Sequence, residues 1–111
     1  MTYRPRPRLH TCGAAAWILF ASLSNVVAAP ADAVQGERLA KRWCASCHVV
    51  SADQMRGADN VPTFSAISRN PAFDAHRIRQ FLMNPHPKMP DMMLTRDEAR
   101  NLGAYIATLA R

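Results

Sequence analysis

Apolar side chains recur at steps of three and four in three places along the chain. Val34, Leu39, Ala40 and Trp43 form the first set, with Gly36 on the same face. Ala75, Ile78, Phe81 and Leu82 form the second, and Ala99, Leu102, Tyr105, Ile106 and Leu109 the third. Such spacing puts each set on one face of a helix. Each set also has a start signal. Asp32 with Gln35 three residues on reads as an N-cap with a reciprocal partner, Asp74 as a simple N-cap, and Thr95-Arg96-Asp97-Glu98 as a capping box. The last helix is expected to run to the chain end, where Arg111 suits the negative end of the helix dipole.

Polar and breaker residues separate these helices. Ser51 to Asn60 shows no alternation and reads as a surface loop. Phe64 and Ile67 support one or two helical turns after Val61-Pro62, stopped by Asn70-Pro71. Asn84-Pro85 ends the second long helix, because a residue before proline avoids the helical region. Three prolines in Pro85-His86-Pro87-Lys88-Met89-Pro90 then make a stiff, non-helical segment. No stretch alternates like a strand, so the fold class is all-α. Gly36 costs its helix about 1 kcal/mol relative to alanine. A second helix crossing closely there gives a reason for it; a frayed helix end is the other reading.

The N-terminal third follows a different pattern. Arg4, Arg6 and Arg8 precede the apolar run Ala14 to Ala21, and small residues follow at Val27-Ala28-Ala29-Pro30-Ala31. This is the layout of an export signal. Ser22, Ser24 and Asn25 interrupt the apolar run, leaving it short of the roughly 20 residues a membrane span needs. An uncleaved anchor is the competing reading. Cleavage after Ala31 satisfies the small-x-small rule through Ala29 and Ala31. Ala28 and Ala33 are further candidate sites, whereas a cut after Ala29 would meet Pro30. The expected organisation is therefore an export signal over residues 1–31, a working domain over 32–111, and a periplasmic destination.

Removing that segment changes the charge and cysteine counts. The whole chain has 14 Lys+Arg, 8 Asp+Glu and a formal charge of +6. Setting aside Arg4, Arg6 and Arg8 leaves eleven basic and eight acidic residues in the working domain, a charge of +3. Half of the basic excess thus belongs to the discarded segment, and nucleic-acid binding has no support. Cys12 leaves as well, so the odd count of three becomes the pair Cys44 and Cys47. A domain of 80 residues is also near the size at which a polypeptide core alone is marginal and a staple is usual.

Cys44-Ala45-Ser46-Cys47-His48 supplies the candidate staple. C-x-x-C-H is the attachment signature of c-type haem. Positions i, i+3 and i+4 share a helical face, so both thiols and the imidazole can present to one planar group. The thiols would form thioethers and His48 would bind iron. The rival uses of the motif are weaker. A structural zinc site wants four ligands, and no second C-x-x-C or H-x₃-H exists. A thioredoxin-like site wants a βαβ setting. A Cys44–Cys47 disulfide leaves His48 unexplained.

A second iron ligand could come from Met55, Met83, Met89, Met92, Met93, His76 or His86. A thioether raises the reduction potential and suits a carrier that cycles its iron. Met89, between Pro87 and Pro90, has the stiffest backbone and is the expected ligand. The other methionines read as core filler, His76 and His86 as surface, and Trp43 as packing between helices.

Taken together, the stretch from about Ala33 to the end resembles a small bacterial class I cytochrome c. Gly36 eight residues before Cys44, the C-x-x-C-H, Val61-Pro62, Pro87-Lys88-Met89-Pro90, and Leu102 with Tyr105 carry the resemblance. It implies a compact all-α fold whose first and last helices cross, with Gly36 packed against Leu102 and Tyr105. It further implies that the Pro62 carbonyl accepts a hydrogen bond from His48 Nδ1, leaving Nε2 for iron. One covalent haem c would lie against Phe64, Ile67, Ile78, Phe81, Leu82 and Leu94. Only 40 residues separate His48 from Met89, a short version of the pattern, and Trp43 is bulky for its position.

The expected function is single-electron transfer, with no bond-making chemistry, between redox protein partners such as a dehydrogenase, an oxidase or another cytochrome. The chain would act as a free carrier or as a complex subunit, and its basic excess favours acidic partners with salt-sensitive association. Two rivals stand beside it: a five-coordinate haem protein binding small gases or reducing peroxide, and a haemless secreted helical domain.

Overall fold

The computed structural model describes residues 29–84 and 88–111. Almost all of the expected export segment falls outside these residues, as does His86. The described residues form helices and no strand. Helix α1 spans Ala33–Leu39 and passes directly into a π-helical turn, Ala40–Cys44. Helices α2, Phe64–Ser68, α3, Ala75–Met83, and α4, Arg96–Thr108, come after it.

The start of α1 differs from the sequence expectation in one informative way. Asp32 does cap it, its Oδ1 accepting from the backbone N–H groups of Val34 at 2.9 Å and Gln35 at 3.1 Å. Gln35 is not the reciprocal partner. The Asp32 N–H donates instead to Asn101 Oδ1 on α4, at 2.8 Å. A bond to a neighbouring helix does the work that a local one was expected to do, and it fixes where α1 begins relative to α4.

The two helices cross at Gly36. A Cβ placed there would lie 2.0 Å from the Asn101 carbonyl oxygen and 2.8 Å from Tyr105 Cβ. The close-crossing reading therefore holds, with Asn101 and Tyr105 as the surfaces that Gly36 meets. Leu102, beside them, is buried in the core.

Past the crossing, α1 widens. Ala45 N–H reaches back five residues to the Ala40 carbonyl at 3.1 Å, which adds a residue to the turn and re-aims Cys44 and the residues after it. Single π-turns of this kind concentrate at functional sites. Trp43 lies on this turn, 43% exposed, with the Arg42 guanidinium 4.9 Å from its ring centroid. The expectation that Trp43 packs between helices is thus corrected: it lies at the surface, where a cation covers one face.

Helix α4 is the element the others pack on. Ala99, Leu102, Gly103, Tyr105 and Ile106 are its buried positions, and they join Ala40, Cys44, Val50 and Phe64 in the core. Half-buried Ile67, Phe73, Ile78, Leu82, Leu94 and Leu109 pack around that centre. The capping box is present: Glu98 N–H donates to Thr95 Oγ1 at 3.2 Å, and Thr95 N–H to Glu98 Oε2 at 2.8 Å. The helix stops at Thr108, with Leu109 as its C-cap, so Arg111 lies beyond the helix rather than closing it.

The cap carries a pH-dependent prediction. The Thr95 backbone N–H, and then its hydroxyl, hold the Glu98 carboxyl below the usual carboxylate range. A depressed folded pKa means that the folded state takes up this proton less readily than the unfolded chain. The stabilisation is therefore complete above the ordinary carboxylate range and is lost as pH falls through the folded value. Thr95→Ala is expected to cost about 1 kcal/mol at neutral pH. The gap between its denaturant midpoint and that of the parent should narrow below about pH 4.

Candidate functional site

The turn that leaves the widened helix is held by its own backbone. Cys44 O accepts from Cys47 N–H at 3.1 Å and from His48 N–H at 2.9 Å, which curls the chain so that Cys44, Cys47 and His48 succeed one another around a single turn. Cys44 is buried, Cys47 exposed and His48 half-buried. Both cysteines are free thiols. Burial, and secondarily the neighbouring Cys47, pushes the Cys44 thiol up to about 11. It is thus a neutral thiol at physiological pH, not a thiolate.

His48 is oriented from the far side of the loop. Its Nδ1 lies 2.7 Å from the carbonyl oxygen of Pro62. A carbonyl can only accept, so Nδ1 carries a proton, and in the tautomer this selects Nε2 holds the lone pair. No described residue hydrogen-bonds that Nε2. Phe64 lies beside the ring, centroids 5.3 Å apart and planes at 52°, and its N–H donates to Val49 O at 2.9 Å. Thr63, whose Oγ1 accepts from Ala66 N–H at 3.0 Å, caps α2. The Pro62-Thr63-Phe64 segment therefore braces both the imidazole and the backbone next to it.

Three further residues shape this turn, and the sequence pattern singled out none of them for it. Gln54 sits inside the loop and bonds Val50, Ala45, His48 and Arg56. Gly57 passes so close beneath the motif that a Cβ there would lie 2.6 Å from the Cys47 carbonyl oxygen. The hydroxyl of Tyr105 donates to Val50 O at 2.8 Å, tying α4 to the residue two past His48. Burial, and next the charge of Glu37, holds that hydroxyl above the usual phenol range, so it stays a neutral donor. Nothing in the polar composition of 51–60 marks its glutamine as a clamp; Gly57 reads there only as a loop residue.

The methionines separate by exposure. Met55 and Met93 are 90% and 86% exposed, and Met83 ends α3 at the surface. Met89 and Met92 are half-buried. Met93 takes a left-handed backbone, φ 50°, with its N–H donated to Asp91 Oδ1 at 2.8 Å, so the chain turns sharply just after Met92. Of the expected haem neighbours, Phe64 is buried and Ile67, Ile78, Leu82 and Leu94 are half-buried against the core, whereas Phe81 is 45% exposed.

Residues 31–106 match the family described as "Cytochrome C oxidase, cbb3-type, subunit III". The chain belongs to the cytochrome c family. It is also 46% identical over 92 residues to "Cytochrome c-552" of Bradyrhizobium diazoefficiens, an alignment that covers 83% of this chain and 88% of that protein. No solved structure matches it significantly. The family is one of haem-bearing electron-transfer proteins, and electron transfer rather than bond-making catalysis is its work. The all-α fold agrees with that membership.

The residues of this cytochrome fit haem c. The metal-binding nitrogen Nε2 belongs to a ring whose other nitrogen is committed to Pro62, the arrangement that orients metal-bound imidazoles. Two thiols precede it on the same turn. Among the described residues, no cluster of three His, Cys, Asp or Glu side chains offers a rival metal site, and no helix is long and apolar enough to cross a membrane.

Proposed function

We propose that this cytochrome carries one haem, bound covalently through Cys44 and Cys47, with His48 and Met89 as axial ligands, and that it moves single electrons in the periplasm. Residues 1–31 would be the export signal and 32–111 the working domain. The observation that carries the reading is the 2.7 Å contact between His48 Nδ1 and Pro62 O. It puts the ring proton on the side away from any ligand and leaves Nε2 as a donor of fixed direction.

When bound, the haem supplies an iron that alternates between two oxidation states. The chain supplies the setting. Pro62 fixes the plane and basicity of the His48 ring, Phe64 shields one side of it, and buried Cys44 anchors the turn in the core. Prolines on either side of Lys88-Met89 restrict the backbone from which Met89 would reach the iron. Little has to move when the charge on the site changes. Partners would be other redox proteins: a dehydrogenase, an oxidase or another cytochrome. The working domain is long enough for a free carrier, and the matching family description names an oxidase subunit.

Export of the full chain into a periplasm equipped for haem attachment tests this. A denaturing gel stained for haem should show one band at the mass of the chain shortened near Asp32. Cys44→Ala combined with Cys47→Ala should lose the stain. A haem-negative parent band, or a stain that survives the double substitution, overturns the covalent assignment.

A further inference from the structure

Gln54 is the most connected side chain in the loop after the haem motif. Its Oε1 accepts from Val50 N–H at 3.0 Å. Its Nε2 lies 2.9 Å from Ala45 O, 2.8 Å from His48 O and 2.8 Å from Arg56 O. The orientation of the amide is settled by chemistry. Val50 N–H can only donate and the three carbonyls can only accept, so oxygen must face Val50 and nitrogen the carbonyls. Two N–H groups serve three acceptors, one of them shared. A single half-buried side chain thereby joins the backbone before His48, at His48 itself, two residues after it, and on the returning limb of the loop.

We infer that Gln54 is a positioning residue for the iron-binding histidine, acting through the His48 peptide rather than touching the metal. The inference rests on the proposal that His48 binds iron. Pro62 holds one edge of the imidazole, at Nδ1, but the position of the ring is defined only if its backbone is held as well. Other bonds brace the surrounding loop: Ala58 N–H to Cys47 O at 2.7 Å, Phe64 N–H to Val49 O at 2.9 Å, and Tyr105 OH to Val50 O at 2.8 Å. The carbonyl of His48 is held by Gln54. The glutamine lies on a polar loop, and no other side-chain type of its length both donates to several carbonyls and accepts from an N–H without carrying charge.

Two substitutions divide these roles. Gln54→Glu keeps the length and the acceptor for Val50 but turns a carboxylate toward three carbonyl oxygens. Gln54→Ala removes every bond. The ferric haem-bearing proteins are compared by the NMR hyperfine shifts of the haem methyls, which track the plane of the axial imidazole, by reduction potential, and by amide exchange at Ala58 and Phe64. Thr95→Ala serves as the control, since it weakens α4 without touching this loop. Both Gln54 variants should reorder the methyl shifts, move the potential, and speed exchange at Ala58 and Phe64 about tenfold, the loss expected for a hydrogen-bonded clamp. Thr95→Ala should leave the methyl pattern and potential as they are.

If Gln54→Ala accumulates no haem protein, Gln54→Glu decides alone. Methyl shifts and potential that match the parent in the Gln54 variants, with only a lower melting temperature, overturn the inference while the ligand assignment stands. A parent protein without covalent haem removes both.

Discussion

Gly36→Ala is expected to lower the melting temperature of the ferric protein by roughly 12–24 °C, the shift that a loss of about 3 kcal/mol produces in a domain of this size. The added methyl carbon would sit 2.0 Å from the Asn101 carbonyl oxygen and 2.6 Å from the carbonyl carbon. Both atoms are backbone, so no side-chain rotation relieves the clash. The helices must part by more than an ångström where they are closest. Alanine returns about 1 kcal/mol of helix propensity, which does not offset that separation. The bond from Asp32 N–H to Asn101 Oδ1 would break with it, and Tyr105, whose Cβ is also within 2.8 Å, would carry its hydroxyl away from Val50. The consequence reaches the haem turn, because Val50 lies two residues past His48. Thermal unfolding monitored in the far-ultraviolet measures the effect. A variant that melts within about 5 °C of the parent, a change worth only about 1 kcal/mol, would show that the crossing tolerates a methyl group and that Gly36 serves only the helix end.

Much of this crossing is legible in the amino-acid sequence. The three- and four-residue periods locate α1, α3 and α4. Thr95 to Glu98 marks the start of the last helix to the residue, because a capping box is a local device whose partners are three residues apart. The Asp32 cap is legible for the same reason; its N–H partner is not, since Asn101 is 69 positions away and no local pattern encodes that pairing. The π-turn at Ala40–Cys44 is equally hidden. Its residues keep a helical period, and only the register of the Ala45 N–H shows the extra residue. Trp43, on that same turn, lies at the surface rather than between helices. At the site, the C-x-x-C-H spacing locates the cysteines and His48, and the likeness to class I cytochromes c points to the Pro62 carbonyl. Gln54 and Gly57 stay illegible because their importance comes from the carbonyls they meet, which composition does not reveal.

Met89→Ala is expected to abolish the far-red charge-transfer band of the ferric protein and to lower its reduction potential. A thioether bound to iron favours the reduced state, because sulfur is a soft, neutral donor. Replacing it by water or by nothing removes that preference, converts low-spin ferric iron toward high spin, and opens a position to added imidazole or azide. Covalent attachment through Cys44 and Cys47 should survive, so the haem-stained band should remain while the spectrum changes. The comparison that gives the test its force is Met92→Ala. Met89 and Met92 are both half-buried and only three residues apart, and they differ in restraint. Met89 precedes Pro90, whereas Met92 leads into Met93, which the chain holds in a left-handed turn through Asp91 Oδ1. If stiffness of the ligand loop is what selects the donor, Met92→Ala keeps the band and the potential, and Met89→Ala loses both. The reverse pattern would assign the ligand to Met92 and make the Asp91 turn, rather than the proline bracket, the feature that fixes it. Loss in neither variant, with the band intact, would move the search to Met55, Met83 and Met93.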